Sequence, residues 1–153
     1  MSDQQNKSAR AIAAEVLRRF HPQRDYAGAI LDRLLDQTRE RQRATDLVYG
    51  TIRNLHALDT VIAKFSGRLP ARIAPNLLSI LRVGVYELIY SPATPVYSIV
   101  DEAVSYAGRA GGKKQTGFVN AVLRQVVRHI TNRQANLAAA APTQTLVQTA
   151  TAG

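Results

Sequence analysis

The sequence predicts an all-α fold on three observations. Apolar residues recur at i, i+3, i+4 and i+7 through nearly every stretch up to Ile130. No alternation of apolar and polar residues is long enough for a useful strand, and no internal repeat appears. Proline and glycine cut the apolar pattern into pieces of helical length. With 153 residues, 46% of them apolar, the chain suits one domain with one real core.

The elements follow in order. Ala9, Ile12, Ala13, Val16, Leu17 and Phe20 form the stripe of a first helix, which the His21-Pro22 step ends. Ala27, Ile30, Leu31, Leu34 and Leu35 mark a second. Thr38 is placed to cap a third, long helix with Leu47, Val48, Ile52, Leu55, Ile62 and Phe65 on one face, stopped by Ser66-Gly67 and Pro70. A fourth starts around Pro75, which suits a first turn. Its apolar residues, Leu77 to Ile89, surround it, so it should be the central buried helix. Ser91-Pro92 and Pro95 break it, and Ser98 with Asp101 resembles a capping pair for a fifth. The fifth stripe is Ile99, Val100, Ala103, Val104 and Ala107. Gly108, Gly111 and Gly112 then read as a flexible basic loop with Lys113 and Lys114. Phe118, Val119, Val122, Leu123, Val126, Val127 and Ile130 make the last helix. Residues 8–131 are therefore expected to form the domain, with 1–7 disordered and the Ala-, Thr- and Gln-rich stretch 132–153 a disordered tail or linker.

Composition removes several function classes. There is no cysteine, so disulfides, thiolate zinc sites and cysteine nucleophiles are excluded together. No apolar run approaches the ~20 residues of a membrane span, and the polar start has no signal-peptide core. A cytoplasmic protein without membrane contact is the simplest expectation. His21, His56 and His129 lie far apart with no carboxylate or cysteine at ligand spacing, so neither a metal nor another cofactor is expected. Asp101 and Glu102 read as acids favoured at a helix N-terminus. No serine, histidine and aspartate arrangement has local support, so no catalytic residue is assigned.

Charge is the positive signal. Twenty Lys and Arg against eleven Asp and Glu give +9, and sixteen of the bases are arginine. Arginine presents a planar fork of donors that matches phosphate and can stack on bases, so a nucleic-acid partner has a physical basis. From Ala103 onward there is no acid, while Arg109, Lys113, Lys114, Arg124, Arg128 and Arg133 follow. Lys7, Arg10, Arg18 and Arg19 form a second basic source. The Gly111-Gly112-Lys113-Lys114 stretch is not a P-loop, which needs glycine at 107 and serine or threonine at 114, where Ala107 and Lys114 stand. It can still bind phosphate through close backbone approach, two lysines and the helix start that follows. Tyr49 and Tyr86 sit in helical patterns and read as core or subsurface residues. Phe118 opens an apolar stripe and also flanks the basic stretch, so core packing and base stacking both stay open.

Four ordered motifs resemble the NusB-like family, whose members include the NusB antitermination factor and the N-terminal RNA-binding domain of rRNA 5-methylcytosine methyltransferases of the RsmB (Sun) type. Asp46 to Arg53, DLVYGTIR, is similar to a "VYGxxR" signature of the methyltransferase branch. Leu81 to Leu88, LRVGVYEL, resembles "LRxGxYEL". Pro95-Val96-Tyr97 followed by Val100 to Val104 resembles "P…NEAVELAK", with Asp101 where asparagine is usual, and Phe118 to Arg124 matches "FVNAVLR". The resemblance covers roughly residues 8–130. It implies a NusB-like fold, about six to seven helices in two small antiparallel bundles. It also implies RNA binding in antitermination or rRNA processing, to a boxA-like or ribosomal RNA, with a ribosomal protein as a second partner; a module that docks a ribosomal protein, with RNA secondary, is the alternative. Carried over by position, it puts Arg10 and the Lys113–Phe118 region at the RNA. With the charge distribution this makes Lys7, Arg10, Arg109, Lys113, Lys114, Phe118 and Arg124 the candidate RNA-binding set. The relatives' methyl transfer needs a cysteine thiolate and an S-adenosylmethionine site on an α/β sheet, and this chain shows neither, so no enzymatic activity is expected of it. A stand-alone protein and the front part of a longer gene product both remain open.

Overall fold

The computed structural model describes residues 6–130. Among these, seven α-helices form: α1 Ala9–Arg19, α2 Ala27–Leu34, α3 Arg41–Arg53, α4 Leu55–Ser66, α5 Pro75–Tyr90, α6 Val96–Gly111 and α7 Lys113–His129. Two 3-10 turns, Leu35–Gln37 and Pro70–Arg72, follow α2 and α4. No strand is present among the described residues, so the all-α expectation holds. The expected disordered stretches 1–7 and 132–153 lie outside the described residues, except Asn6 and Lys7. These two pair with the α2–α3 connection: Asn6 bridges Thr38, and Lys7 N–H donates to the Gln37 carbonyl at 3.1 Å.

The apolar faces collect into two cores. Ile12, Ala13, Val16, Leu17, Leu31, Leu34, Leu47 and Val48 join α1, α2 and α3, and Val83 of α5 enters the same cluster. Leu58, Ile62, Leu81, Leu88, Ile89, Ile99, Val100, Val122, Leu123 and Val126 join α4 to α7. Helix α5 serves both, which explains why its apolar residues surround it. The central-helix expectation and the two-bundle architecture are both met.

Three sequence expectations change. The long third helix is two helices, broken at Asn54, whose φ of −110° and ψ of 18° leave the helical region. The Asn54 side-chain amide donates to the Gly50 carbonyl at 2.8 Å, offering the backbone an alternative partner. The apolar stripe continues across this break only because it changes core: Ile52 and Leu55 face the first, Leu58 and Ile62 the second. Thr38 does not cap α3. It is buried after the first 3-10 turn and accepts from Glu40 N–H at 3.0 Å, while Glu40 occupies the position before Arg41. Ser98 likewise lies inside the first turn of α6, donating to the Pro95 carbonyl at 3.0 Å.

The glycines of the family-like motifs have steric reasons. A Cβ on Gly50 would run into the Tyr86 hydroxyl and ring, and one on Gly84 would meet the Leu123 side chain at 3.2 Å. Helix α3 therefore lies close under Tyr86 of α5, and α5 close to α7. Gly50→Ala is expected to lower stability by about 1–2 kcal/mol, the clash outweighing the gain in helix propensity. Urea denaturation checks this, and an unchanged or raised midpoint would remove the packing account of the motif.

Candidate nucleic-acid interface

Helix α7 puts its apolar residues Val119, Val122, Leu123 and Val126 into the second core. The same periodicity turns Lys113, Lys114, Gly117, Ala121, Arg124 and Arg128 to solvent. These positions fall at i, i+3 and i+4 steps, so the cations line one ridge with only small residues between them. Arg124 Nε reaches Asn120 Oδ1 at 3.4 Å, and no described carboxylate forms a salt bridge with any cation of this ridge. The expected flexible loop is absent. Helix α6 runs through Gly108 to Gly111, and Gly112 alone, at φ +85°, makes the turn into α7. Lys113 and Lys114 are thus the first turn of a helix. Gly112 supplies no side-chain cap there and the first turn holds no acid, leaving its N–H donors and positive dipole end for an anion.

Phe118 is half-buried against the second core, and the Arg68 guanidinium lies over its ring at 4.6 Å. The ring therefore serves packing on one side and a cation on the other. Arg68 lies just after the Gly67 cap of α4, fifty residues away in sequence, so periodicity offered no way to find it.

Across the Gly112 turn, exposed Arg109 in the last turn of α6 shares a cleft with Lys7, Tyr106, Gln37, Glu15 and Glu102. The structure thus places Lys7 and Arg109 on one cleft, and Arg109 adjoins Lys113 and Lys114 through the chain turn.

Arg10 is placed otherwise. Its side chain is 14% exposed and binds inward: Nε and Nη2 to the Glu87 carboxylate, the latter at 3.2 Å, and Nη1 to Glu102 at 2.7 Å. Glu87, 1% exposed, also accepts from Arg43 Nη2 at 3.0 Å. Glu102 accepts from the Ser8 hydroxyl, and Glu40 accepts from Ala9 N–H at 3.0 Å. Burial alone would lower the Arg10 guanidinium, but hydrogen bonds to Glu87 and Glu102 outweigh it and hold it above its ordinary value. The first turn of α6 holds no acid, which corrects the reading of Asp101 and Glu102 as helix-terminus acids; Glu102 instead pairs with Arg10, whose donors are engaged within the fold. Arg18 and Arg19 both grip Glu15, at 2.6 Å each. Hydrogen bonding from Arg18, opposed by burial and joined by Arg19, holds the Glu15 carboxyl below the usual range.

Burial raises the Tyr86, Tyr90 and Tyr106 phenols, with Tyr90 pushed up to about 12 from an ordinary 10.0. Such groups favour the neutral form in the folded chain. Their contribution is whole below the unfolded phenol value and is lost as pH rises through the folded one. Stability is expected to fall between pH ~10 and ~12, with tyrosinate absorbance rising as unfolding proceeds. Denaturation midpoints that stay flat across that window would contradict it.

Among the described residues no three histidines, aspartates or glutamates converge as a metal site, and no helix is long and apolar enough to cross a membrane.

The profile of the NusB family matches residues 7–128. A putative methyltransferase of Mycobacterium tuberculosis is 38% identical over 122 residues, covering 77% of this chain and 26% of the relative. A probable ribosomal RNA small subunit methyltransferase B of Bacillus subtilis is 32% identical over 125 residues, covering 79% and 28% respectively. The chain thus spans about a quarter of the length of these two relatives. The transcription antitermination protein NusB of Acetivibrio thermocellus is 29% identical over 127 residues, covering 80% of this chain and 88% of that protein. Among solved structures, Thermotoga maritima NusB superposes with a TM-score of 0.72 at 23% identity, covering 78% of this chain and 88% of the other. A protein chain in the crystal structure of a plectonemic RNA supercoil gives 0.70 at 24% identity, covering 76% and 88%. Profile, relatives and fold agree with the two-bundle architecture built around α5, and the chain belongs to the NusB family.

Proposed function

We propose that this chain is a non-catalytic RNA-binding domain that holds single-stranded or looped RNA, boxA-like or ribosomal, on the face made by α7 and the Gly112 turn. The supporting observation is the ridge Lys113, Lys114, Arg124 and Arg128, free of salt bridges with described carboxylates and fed by the positive end of its own helix. Arg109 and Lys7 extend the positive field beyond the turn, and Phe118 with Arg68 flanks it. The context is antitermination or rRNA processing in the cytoplasm, with a ribosomal protein as a second partner. The reading assigns the chain no methyl-transfer step, which needs a cysteine thiolate that the chain lacks. A second reading, the RNA-binding part of a rRNA cytosine methyltransferase, is favoured by the identity to methyltransferase relatives that it matches over about a quarter of their length.

RNA affinity should fall with salt. Phosphate contacts by Lys7, Arg109, Lys113, Lys114 and Arg124 give an expected slope of about −3.5 in log K against log salt, from ~0.7 per contact on single strands. A filter-binding or fluorescence-anisotropy series measures it. A flat dependence, or no binding in low salt, would overturn the reading.

A further inference from the structure

The cleft between the start of α1 and the end of α6 has a volume of about 300 Å³. Its walls come from three places. The chain start supplies Lys7 and Ser8, the α2 end supplies Leu34 and Gln37, and α6 supplies Tyr106 and Arg109. The wall at Lys7 is held in place, because its N–H donates to the Gln37 carbonyl and Asn6 bridges Thr38. The Ser8 hydroxyl accepts from Ala11 N–H at 3.1 Å and donates to Glu102, closing the floor.

The charge inside is unequal. Two acids line the cleft, Glu15 and Glu102, and both are already engaged: Glu15 by Arg18 and Arg19, Glu102 by Arg10 and Ser8. Lys7 and Arg109 form no salt bridge with a described carboxylate. The cleft therefore offers two uncommitted cations for an anion. Beside them stand a half-buried aromatic ring, Tyr106, and the Gln37 amide, whose side chain makes no hydrogen bond among the described residues. Two cations, an aromatic wall, an amide with both donor and acceptor and an apolar floor at Ala11, Ile12 and Leu34 are groups that can contact the phosphate and base of a nucleotide.

We propose that this cleft is a mononucleotide subsite that receives one splayed-out nucleotide of the bound RNA. Its phosphate lies on Lys7 and Arg109, its base lies against Tyr106, and the base edge faces Gln37. This deepens the RNA-binding reading and rests on it. The α7 ridge holds backbone without regard to base, whereas a cleft with an amide on its wall can favour one base over another.

The test uses the whole chain and free nucleotides. Backbone amide shifts are followed by NMR during titration with uridine or adenosine 5′-monophosphate, and with inorganic phosphate for comparison. Saturable shifts at Lys7, Gln37, Tyr106 and Arg109 are expected, with one nucleotide binding more tightly than the other and both more tightly than phosphate. Lys7→Ala with Arg109→Ala should weaken that binding by roughly tenfold or more, as loss of charge-assisted contacts does. Gln37→Leu, at a residue outside the cores, should narrow the preference between the two bases. The proposal is overturned if the shifts cluster only on the α7 ridge, if phosphate matches the nucleotides in affinity and pattern, or if the variants leave the titration unchanged. Lys113→Glu with Lys114→Glu should spare the nucleotide shifts while lowering RNA affinity. Failure of the cleft and failure of the α7 face are thereby read separately.

Discussion

Replacing Glu87 by alanine is expected to remove about 3 kcal/mol of folding stability, the largest single effect outside the apolar cores. The carboxylate is 1% exposed and sits where the two bundles meet on α5. It accepts from Arg10 of α1 and from Arg43 of α3, so one buried anion ties three helices. Truncation leaves Arg10, itself 14% exposed, with Glu102 at 2.7 Å and without the partner that took two of its nitrogens. Removing one member of a buried pair costs roughly 3–5 kcal/mol, because the survivor keeps its desolvation penalty. The lower end applies here, since Glu102 remains and the Arg43 side chain is 42% exposed. A loss of that size should move the urea midpoint by ~1–2 M. Glu87→Gln should lose less, because it keeps the shape and an acceptor. A double-mutant cycle with Arg10→Ala should show coupling of about 1–3 kcal/mol. A Glu87→Ala stability within ~0.5 kcal/mol of the parent would mean that the cluster does not hold the bundles together.

That network shows why the sequence reports the fold more fully than it reports buried polar pairing. Periodicity reports which face of a helix is buried, and it located α1, α2, α5 and α7 because their apolar faces meet a core directly. It does not report what a buried polar residue meets. Glu87, inside an apolar run, and Arg10, at the basic start of α1, carry no local mark of their pairing, which spans 77 positions. Arg10 therefore read as part of a basic surface, and Glu102 as a helix-terminus acid. The glycines misled in the opposite direction. Gly108 and Gly111 suggest a loop by propensity, yet both lie in α6, where α7 packs closely. A Cβ on Gly108 would sit 3.0 Å from the Thr116 side chain, and one on Gly111 would collide with Gln115. Of these three glycines, Gly112 has the positive φ that marks a turn. Close helix approach and chain reversal both select glycine, and sequence alone does not separate them. Asn54 shows the same limit, because one asparagine in a continuous apolar stripe gives no sign that the stripe changes cores there.

The charge pattern was legible because it needs no contact map. An acid-free stretch places its cations on whatever surface it forms, and α7 forms the ridge. Lys113→Glu with Lys114→Glu is accordingly expected to lower RNA affinity by ~100-fold at about 0.1 M salt. Losing two phosphate contacts accounts for ~25-fold, from ~0.7 in log K per contact and per decade of salt, and like-charge repulsion at the helix start adds the remainder. The salt slope should shrink by about 1.4. Both side chains are exposed and neither touches a core, so the melting temperature should move little and a folded variant reports on binding alone. The control is Arg24→Glu with Arg33→Glu, which changes net charge equally on the loop and helix that pack against α1 and α3. If both doubles lower affinity alike, binding follows net charge and α7 is not the face. If only the Lys113 and Lys114 pair does so, the first turn of α7 carries the phosphate contact, at the helix terminus that the Gly112 turn leaves without a side-chain cap.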